Sequence, residues 1–171
     1  PLTEGLLTVH SALVGVGLRD RVKLGASGKV TSGVDIVKRL IQGADYTNSA
    51  RSMMMAVGCI QAQTCHTNTC PVGVATQDPR RMRALDVPSK AERVHSYQSA
   101  AVGQAMQVVA SMGLSSFDDL TPHMLRRRVS DGRIESYADI FEHLRPGELL
   151  DQAPESWARD WELADPDRFL P

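Results

Sequence analysis

Apolar positions recur at helical spacing from Leu6 to Leu18, where Leu6, Val9, Leu13 and Val16 share one stripe and Gly17 stops the run. "RVKLGASG" then alternates and ends on glycines, which predicts a short strand. "TSGVDIVKRLIQG" returns to a helical period, with Ser32 as a cap, Asp35 completing a capping-box pattern, Val34, Val37 and Ile41 as the buried stripe, and Gly43 as the stop. "ADYTNSA" predicts a second strand and "RSMMMAVGC" a further helix. Helix, strand, helix, strand, helix with short connections predicts parallel strands and an α/β fold.

After Pro79 the pattern becomes helical. "SKAERVHSYQSAAVGQAMQVVASMGL" places Val94, Tyr97, Ala101, Ala105, Val108 and Met112 on one face and ends at Gly113. "SSFDDLTPHMLRRR" and "ESYADIFEHL" predict two shorter amphipathic helices. From Pro146 onward, with Trp157, Trp161 and prolines at 154, 166 and 171, the chain reads as an extended arm, either with its tryptophans packed on a partner surface or as a loosely held terminus. The expected division is 1–78, 79–145 and 146–171.

The chain has 171 residues, 42% hydrophobic and 23% charged, with a net charge of −1, as in an ordinary globular protein of about one domain. Its one basic run, Leu125 to Arg128, is flanked by Asp118, Asp119 and Asp131 and reads as a solvated face, so nucleic acid is not an expected partner. No apolar run approaches the roughly 18 residues needed to span a bilayer, so no membrane is expected, and cytoplasm is the default location. A first residue other than Met suggests part of a longer chain. Met53, Met54 and Met55 read as core filling.

Two features carry chemistry. Gly25, Gly28 and Gly33 surround one helix start, and "TNSAR" brings small residues and Arg51 to the next. Two adjacent strand-to-helix turns of this kind are how a barrel builds a phosphate cup after its last two strands. Asp35 sets a negative charge beside that cup. The second feature is "GCIQAQTCHTNTCPVGVATQ", which holds all three cysteines, Cys59, Cys65 and Cys70, inside twelve positions. An odd, clustered set argues against a disulfide framework and for coordination. Zinc would need a fourth ligand, and His66 is the neighbour on offer, although its adjacency to Cys65 favours a surface role. Iron–sulfur centres are held by thiolates, often with Pro next to a ligand, as at Cys70-Pro71. Both remain open on spacing alone.

"LRDRVKLGASGKVTSGVDIVKRLIQGAD", the cysteine loop through "PVGVATQDPRR" and "ERVHSYQSAAVGQAMQVVASMGLSSFDDL" together resemble the C-terminal part of the synthase domain of glutamate synthase, and more closely the FMN-binding glutamate-synthase-like proteins without a glutaminase domain. The resemblance covers Pro1 to Arg128. It implies an α/β fold, the C-terminal portion of an FMN-type (β/α)8 barrel (the last two strand–helix units), followed by a helical extension. FMN phosphate would sit on Ser27, Gly28, Lys29, Ala50 and Arg51, and Cys59, Cys65 and Cys70 would hold a 3Fe-4S cluster. Ser27 and Lys29 stand where the family turn has Asp and Gly.

The implied activity is an oxidoreductase of nitrogen metabolism that reduces 2-oxoglutarate plus ammonia to glutamate. Its implied partners are the remainder of its own barrel, ferredoxin or a reductase subunit as electron donor, and a small-molecule substrate. Catalytic groups are expected on earlier strands, so this chain alone would be inactive, and Val22, Leu24 and Tyr46 would lack packing partners. The alternatives are a zinc-stabilised interaction module and an inactive truncated fragment.

Overall fold

The computed structural model describes residues 1–167; Pro171 and the rest of the arm from 168 lie outside the described residues. The order is α1 (Leu2–Gly15), β1 (Gly25–Ser27), α2 (Gly33–Ile41), β2 (Tyr46–Asn48), α3 (Ala50–Val57), α4 (Pro79–Met82), α5 (Val87–Ser111), β3 (Arg126–Ser130), β4 (Arg133–Ser136), α6 (Tyr137–Ile140), α7 (Glu148–Asp151) and α8 (Glu155–Leu163). Strands β1 and β2 pair with each other, as do β3 and β4. The first five elements appear in the expected order. No helix among the described residues is long and apolar enough to cross a membrane.

The chain divides into two compact units, and the division runs through β1 and β2. The first comprises 1–25, 41–46 and 121 onward. Its buried apolar residues are Leu6, Leu7, Ile41, Ala44, Leu144 and Leu149. Gly15 is buried because a side chain there would stand 2.6 Å from Leu149 and 2.8 Å from Leu144. Gly17 adopts φ 67 and lets its own N–H reach Val14 O at 2.9 Å and the Leu18 N–H reach Leu13 O at 2.8 Å, which satisfies the last carbonyls of α1. Val9, placed on the buried stripe by periodicity, is 48% exposed.

Asp45 ties this unit together. Its carboxylate accepts the Leu24 N–H at 2.7 Å, Arg19 at 2.8 Å and Lys23 at 3.3 Å. Arg19 also donates to His10 Nδ1 at 2.9 Å and Gly43 O at 2.9 Å. Burial favours a neutral His10, and the Arg19 guanidinium adds to that, so its pKa lies below the usual imidazole value. Burial alone would raise the Asp45 carboxyl, but the Leu24 N–H and then Arg19 and Lys23 hold it below the ordinary range. A depressed carboxylate contributes stability above its unfolded pKa of about 4 and loses it as pH falls through the folded value. Asp45→Asn is therefore expected to cost about 2 kcal/mol at neutral pH, with the gap from the parent closing below pH ~4 in urea unfolding. A constant gap from pH 3 to pH 7 would refute the charge-based account.

Two expectations for the chain after α5 fail. The run before Arg128 is not a helix. It forms short 3-10 turns at Phe117–Asp119 and Pro122–Met124 and then β3, which pairs antiparallel with β4 across a turn where Gly132 has φ 78. All five residues of β3 are exposed, so no buried stripe marks it. "ESYADIFEHL" keeps only the single turn α6. The arm is not extended either: α8 forms, with Glu142 accepting the Trp157 indole N–H at 3.1 Å and also the Ser156 hydroxyl.

The second unit comprises 26–40 and 47–120. Ala26, Val30, Val37, Cys70, Ala105 and Val109 are its buried apolar residues. Val34, assigned to the same stripe as Val37, is 53% exposed. The N-terminus of α2 packs directly on α5, where the Gly33 N–H donates to Gln104 Oε1 at 2.8 Å. Met54 and Met55 are exposed rather than core filling.

Candidate functional site

The turn after β1 and the turn before α3 enclose one cavity of about 500 Å³. Ser27, Gly28, Lys29, Ala50 and Arg51 all line it, so the five residues expected at a phosphate are brought together. Gly28 has φ 141 and Lys29 φ 52, two consecutive left-handed residues that turn the backbone sharply at the cavity. Left-handed geometry costs a non-glycine residue roughly 1–2 kcal/mol, so the Lys29 conformation is held by its surroundings. Among the described residues, neither the Lys29 nor the Arg51 side chain makes a hydrogen bond or ion pair.

The two helix starts facing this cavity differ. At α2, Asp35 Oδ2 accepts the Thr31 N–H at 3.1 Å and hydroxyl at 2.9 Å, and the Ser32 N–H at 3.2 Å and hydroxyl at 3.0 Å. Burial would raise that carboxyl, but the Thr31 hydroxyl, the Thr31 N–H and the Ser32 pair hold it below the ordinary carboxylate range. Gln104 takes the Gly33 N–H and the Ser32 hydroxyl the Asp35 N–H, so these two donors that open α2 are occupied from within. At α3 no side chain caps the start. The free donors and positive dipole end at the cavity therefore belong to α3, with Arg51 beside them.

Sequence reasoning missed Ser49 and Ser52. Their hydroxyls lie 2.6 Å and 2.9 Å from the Val30 carbonyl oxygen and are hydrogen-bonded to each other. With one proton each, one hydroxyl donates to the carbonyl and the other to its neighbour, pinning the two turns together. Only the density of small hydroxyl residues in "TNSARS" hinted at this.

The cysteine loop is built differently. Gly58 at φ 116 ends α3, with its N–H on Met55 O at 3.0 Å and the Cys59 N–H on Met54 O at 3.0 Å, so Cys59 is fixed by the helix end. Its sulfur accepts the Gln61 N–H at 3.4 Å. Cys65 opens a 3-10 turn and is exposed, as is His66 beside it. Cys70 is buried. The Ala75 and Val72 N–H groups lead in drawing the thiol below its ordinary pKa, against a smaller effect of burial.

Among the described residues, no three His, Cys, Asp or Glu side chains are gathered closely enough to hold a metal ion. The expected convergence of the three sulfurs is therefore not present: Cys59 accepts a backbone N–H and Cys70 is buried, whereas Cys65 is exposed. The donor chemistry does suit an iron–sulfur centre, since three thiols stand in one loop and the Cys59 sulfur already accepts an N–H bond of the kind that stabilises cluster sulfurs.

Residues 1–115 match the model of the conserved region in glutamate synthase. The chain belongs to the glutamate synthase family. It is 40% identical over 134 residues to the glutamate synthase large subunit-like protein YerD of Bacillus subtilis, a match covering 78% of this chain and 26% of that protein. It is 41% identical over 122 residues to the ferredoxin-dependent glutamate synthase of Pyropia yezoensis, covering 71% of this chain and 8% of that one. Against the glutamate synthase (NADPH) large chain of Bacillus subtilis, identity is 34% over 121 residues, with 70% and 8% covered. The chain thus spans about a quarter of the first relative's length and under a tenth of the other two. The family match includes both candidate turns and the whole cysteine loop, and it stops before the β3–β4 hairpin.

Proposed function

We infer that this chain is the cofactor-holding end of a glutamate-synthase-type oxidoreductase of the cytoplasm, made of the last two strand–helix units of a (β/α)8 barrel and a helical extension. The observation that carries this reading is one cavity that collects Ser27, Gly28, Lys29, Ala50 and Arg51, with two cations unpaired among the described residues and a helix start without a side-chain cap. Exposed Val22 and Tyr46, apolar residues beside β1 and in β2, support a sheet continued by further strands.

In this reading the Lys29 ammonium and the Arg51 guanidinium neutralise the FMN phosphate, and the first N–H groups of α3 hydrogen-bond its oxygens. Ser49 and Ser52 keep both turns in register. Cys59, Cys65 and Cys70 would hold the 3Fe-4S cluster. Bound FMN supplies two-electron reduction and the cluster one-electron transfer, so that electrons from ferredoxin or a reductase subunit convert 2-oxoglutarate plus ammonia to glutamate. Asp35 keeps the α2 end of the cavity anionic, which directs the phosphate toward α3.

The test is flavin titration of a polypeptide carrying the whole barrel. FMN is expected to bind more tightly than riboflavin, and Lys29→Gln and Arg51→Gln are each expected to cut that preference by about tenfold, the size of one charge-assisted hydrogen bond. Equal affinity of the parent for FMN and riboflavin would overturn the assignment.

A further inference from the structure

Helices α3 and α5 pack on each other, and beside their contact lies a cavity of about 560 Å³. Met55 and Ala56 line it from α3 and Tyr97 from α5, and most of its wall is apolar. A small-molecule site usually has this size and this make-up, apolar with a few polar groups that fix orientation. It is not the phosphate cavity, although Thr31, Ser52 and Met55 line both.

Three of its polar groups are already used within the fold. The Thr31 hydroxyl donates to Asp35 at 2.9 Å, the Ser52 hydroxyl is taken up by Val30 O at 2.9 Å and by Ser49, and the Tyr97 hydroxyl donates to Thr31 O at 2.6 Å. Glu92, Arg93 and Ser96 remain. All three are exposed, and among the described residues none of their side chains makes a hydrogen bond or ion pair. Exposed charges are ordinary on a helix, but here one of each sign borders the same apolar cavity.

Glu92 and Arg93 are consecutive on α5, and side chains one apart diverge around a helix instead of meeting. They therefore stand as two separate charges, neither cancelled by the other. A simple anion drawn to Arg93 would be repelled by Glu92, and a simple cation drawn to Glu92 would be repelled by Arg93. A ligand that carries both signs satisfies both groups, and the cavity then discriminates against each single charge.

We propose that this cavity is a second small-molecule site, for an α-amino acid held as its zwitterion. The Arg93 guanidinium takes the α-carboxylate and the Glu92 carboxylate takes the α-ammonium. Ser96, one turn beyond Glu92 on the same face, supplies a third polar contact. An aliphatic side chain lies against Met55 and Ala56. The recognition uses none of the residues assigned to the FMN phosphate and none of the cysteines, so it stands apart from the cofactor reading.

The test is isothermal titration calorimetry on a polypeptide carrying the whole barrel, with L-norleucine as the zwitterionic probe. Hexanoate is that molecule without its ammonium, and pentylamine is that molecule without its carboxylate. Norleucine is expected to bind saturably and about tenfold more tightly than either, the size of one charge-assisted hydrogen bond. E92Q should remove its advantage over hexanoate and keep its advantage over pentylamine, and R93Q should do the reverse. A merely structural role for the two residues would not give that crossed pattern. Absence of saturable norleucine binding, binding of hexanoate or pentylamine as tight as that of norleucine, or parent selectivity in both variants would overturn the inference. Each of those results would leave the preference of the same polypeptide for FMN over riboflavin unaltered, so the cofactor reading stands or fails separately.

Discussion

Cys70→Ser strips the iron: after anaerobic loading, the variant is expected to retain less than about a tenth of the parent's iron and sulfide and to lose its visible absorbance. Changes to groups that only support a ligand already cost 10–100-fold in metal affinity, so loss of a ligand should cost at least as much. Cys70 is the buried member of the three. The backbone N–H groups of Ala75 and Val72, then of Val74 and Gly73, draw its thiol below the usual range, outweighing burial. A serine hydroxyl can accept the same N–H bonds, but its proton leaves far less readily and oxygen is a harder donor than a cluster requires. The loop should therefore keep its shape while losing its ligand. Cys65→Ser, at an exposed position with no such donor set, should lose iron while leaving the thermal midpoint unchanged. Full iron content in Cys70→Ser would sink the cluster assignment, and zinc uptake in place of iron by the parent would favour a structural zinc module.

Much of this site could be read in one dimension because it is made of local rules. Ser32 and Asp35 sit three apart and do form the expected cap on α2. Gly58 ends α3 in the left-handed region, as a glycine after an apolar helical run should. The two turns fall next to each other because the strands before them pair. What could not be read was contact between distant residues. Nothing in the spacing of "SAAVGQAMQ" says that Gln104 will satisfy Gly33. The basic run at Arg126 to Arg128 misled because every residue of β3 is exposed, which removes the alternation that marks a strand. The Ser-Asp-Gly run at 130–132 is the one local hairpin signal there. The cysteines show the same limit from the other side: their clustering puts three thiols in one loop but does not say in which direction each sulfur points.

Gly33→Ala is expected to destabilise the second unit by about 3 kcal/mol, the upper range for forcing a methyl group into a packed interior. The added carbon would lie 2.3 Å from the Ala105 backbone nitrogen, 2.6 Å from the Gln104 carbonyl carbon and 2.8 Å from the Ala101 carbonyl oxygen. None of these is the end of a movable side chain. All belong to the backbone of α5, so α2 must back away from that helix. Retreat would break the bond from the Gly33 N–H to Gln104 and the bond from the Tyr97 hydroxyl to the Thr31 carbonyl, which is 2.6 Å long. Those two bonds seat the turn that carries Ser27, Gly28 and Lys29, so the same substitution should weaken FMN binding as well as folding. Gly103→Ala is the control within the same unit. It lies inside α5 with open space around it, and removing a helical glycine should stabilise by about 1 kcal/mol. Opposite signs for the two substitutions in urea unfolding would show that close backbone approach, rather than helix propensity, fixes residue 33 as glycine. A neutral Gly33→Ala would mean that α2 does not rest on α5, and the phosphate cup would lose its stated support.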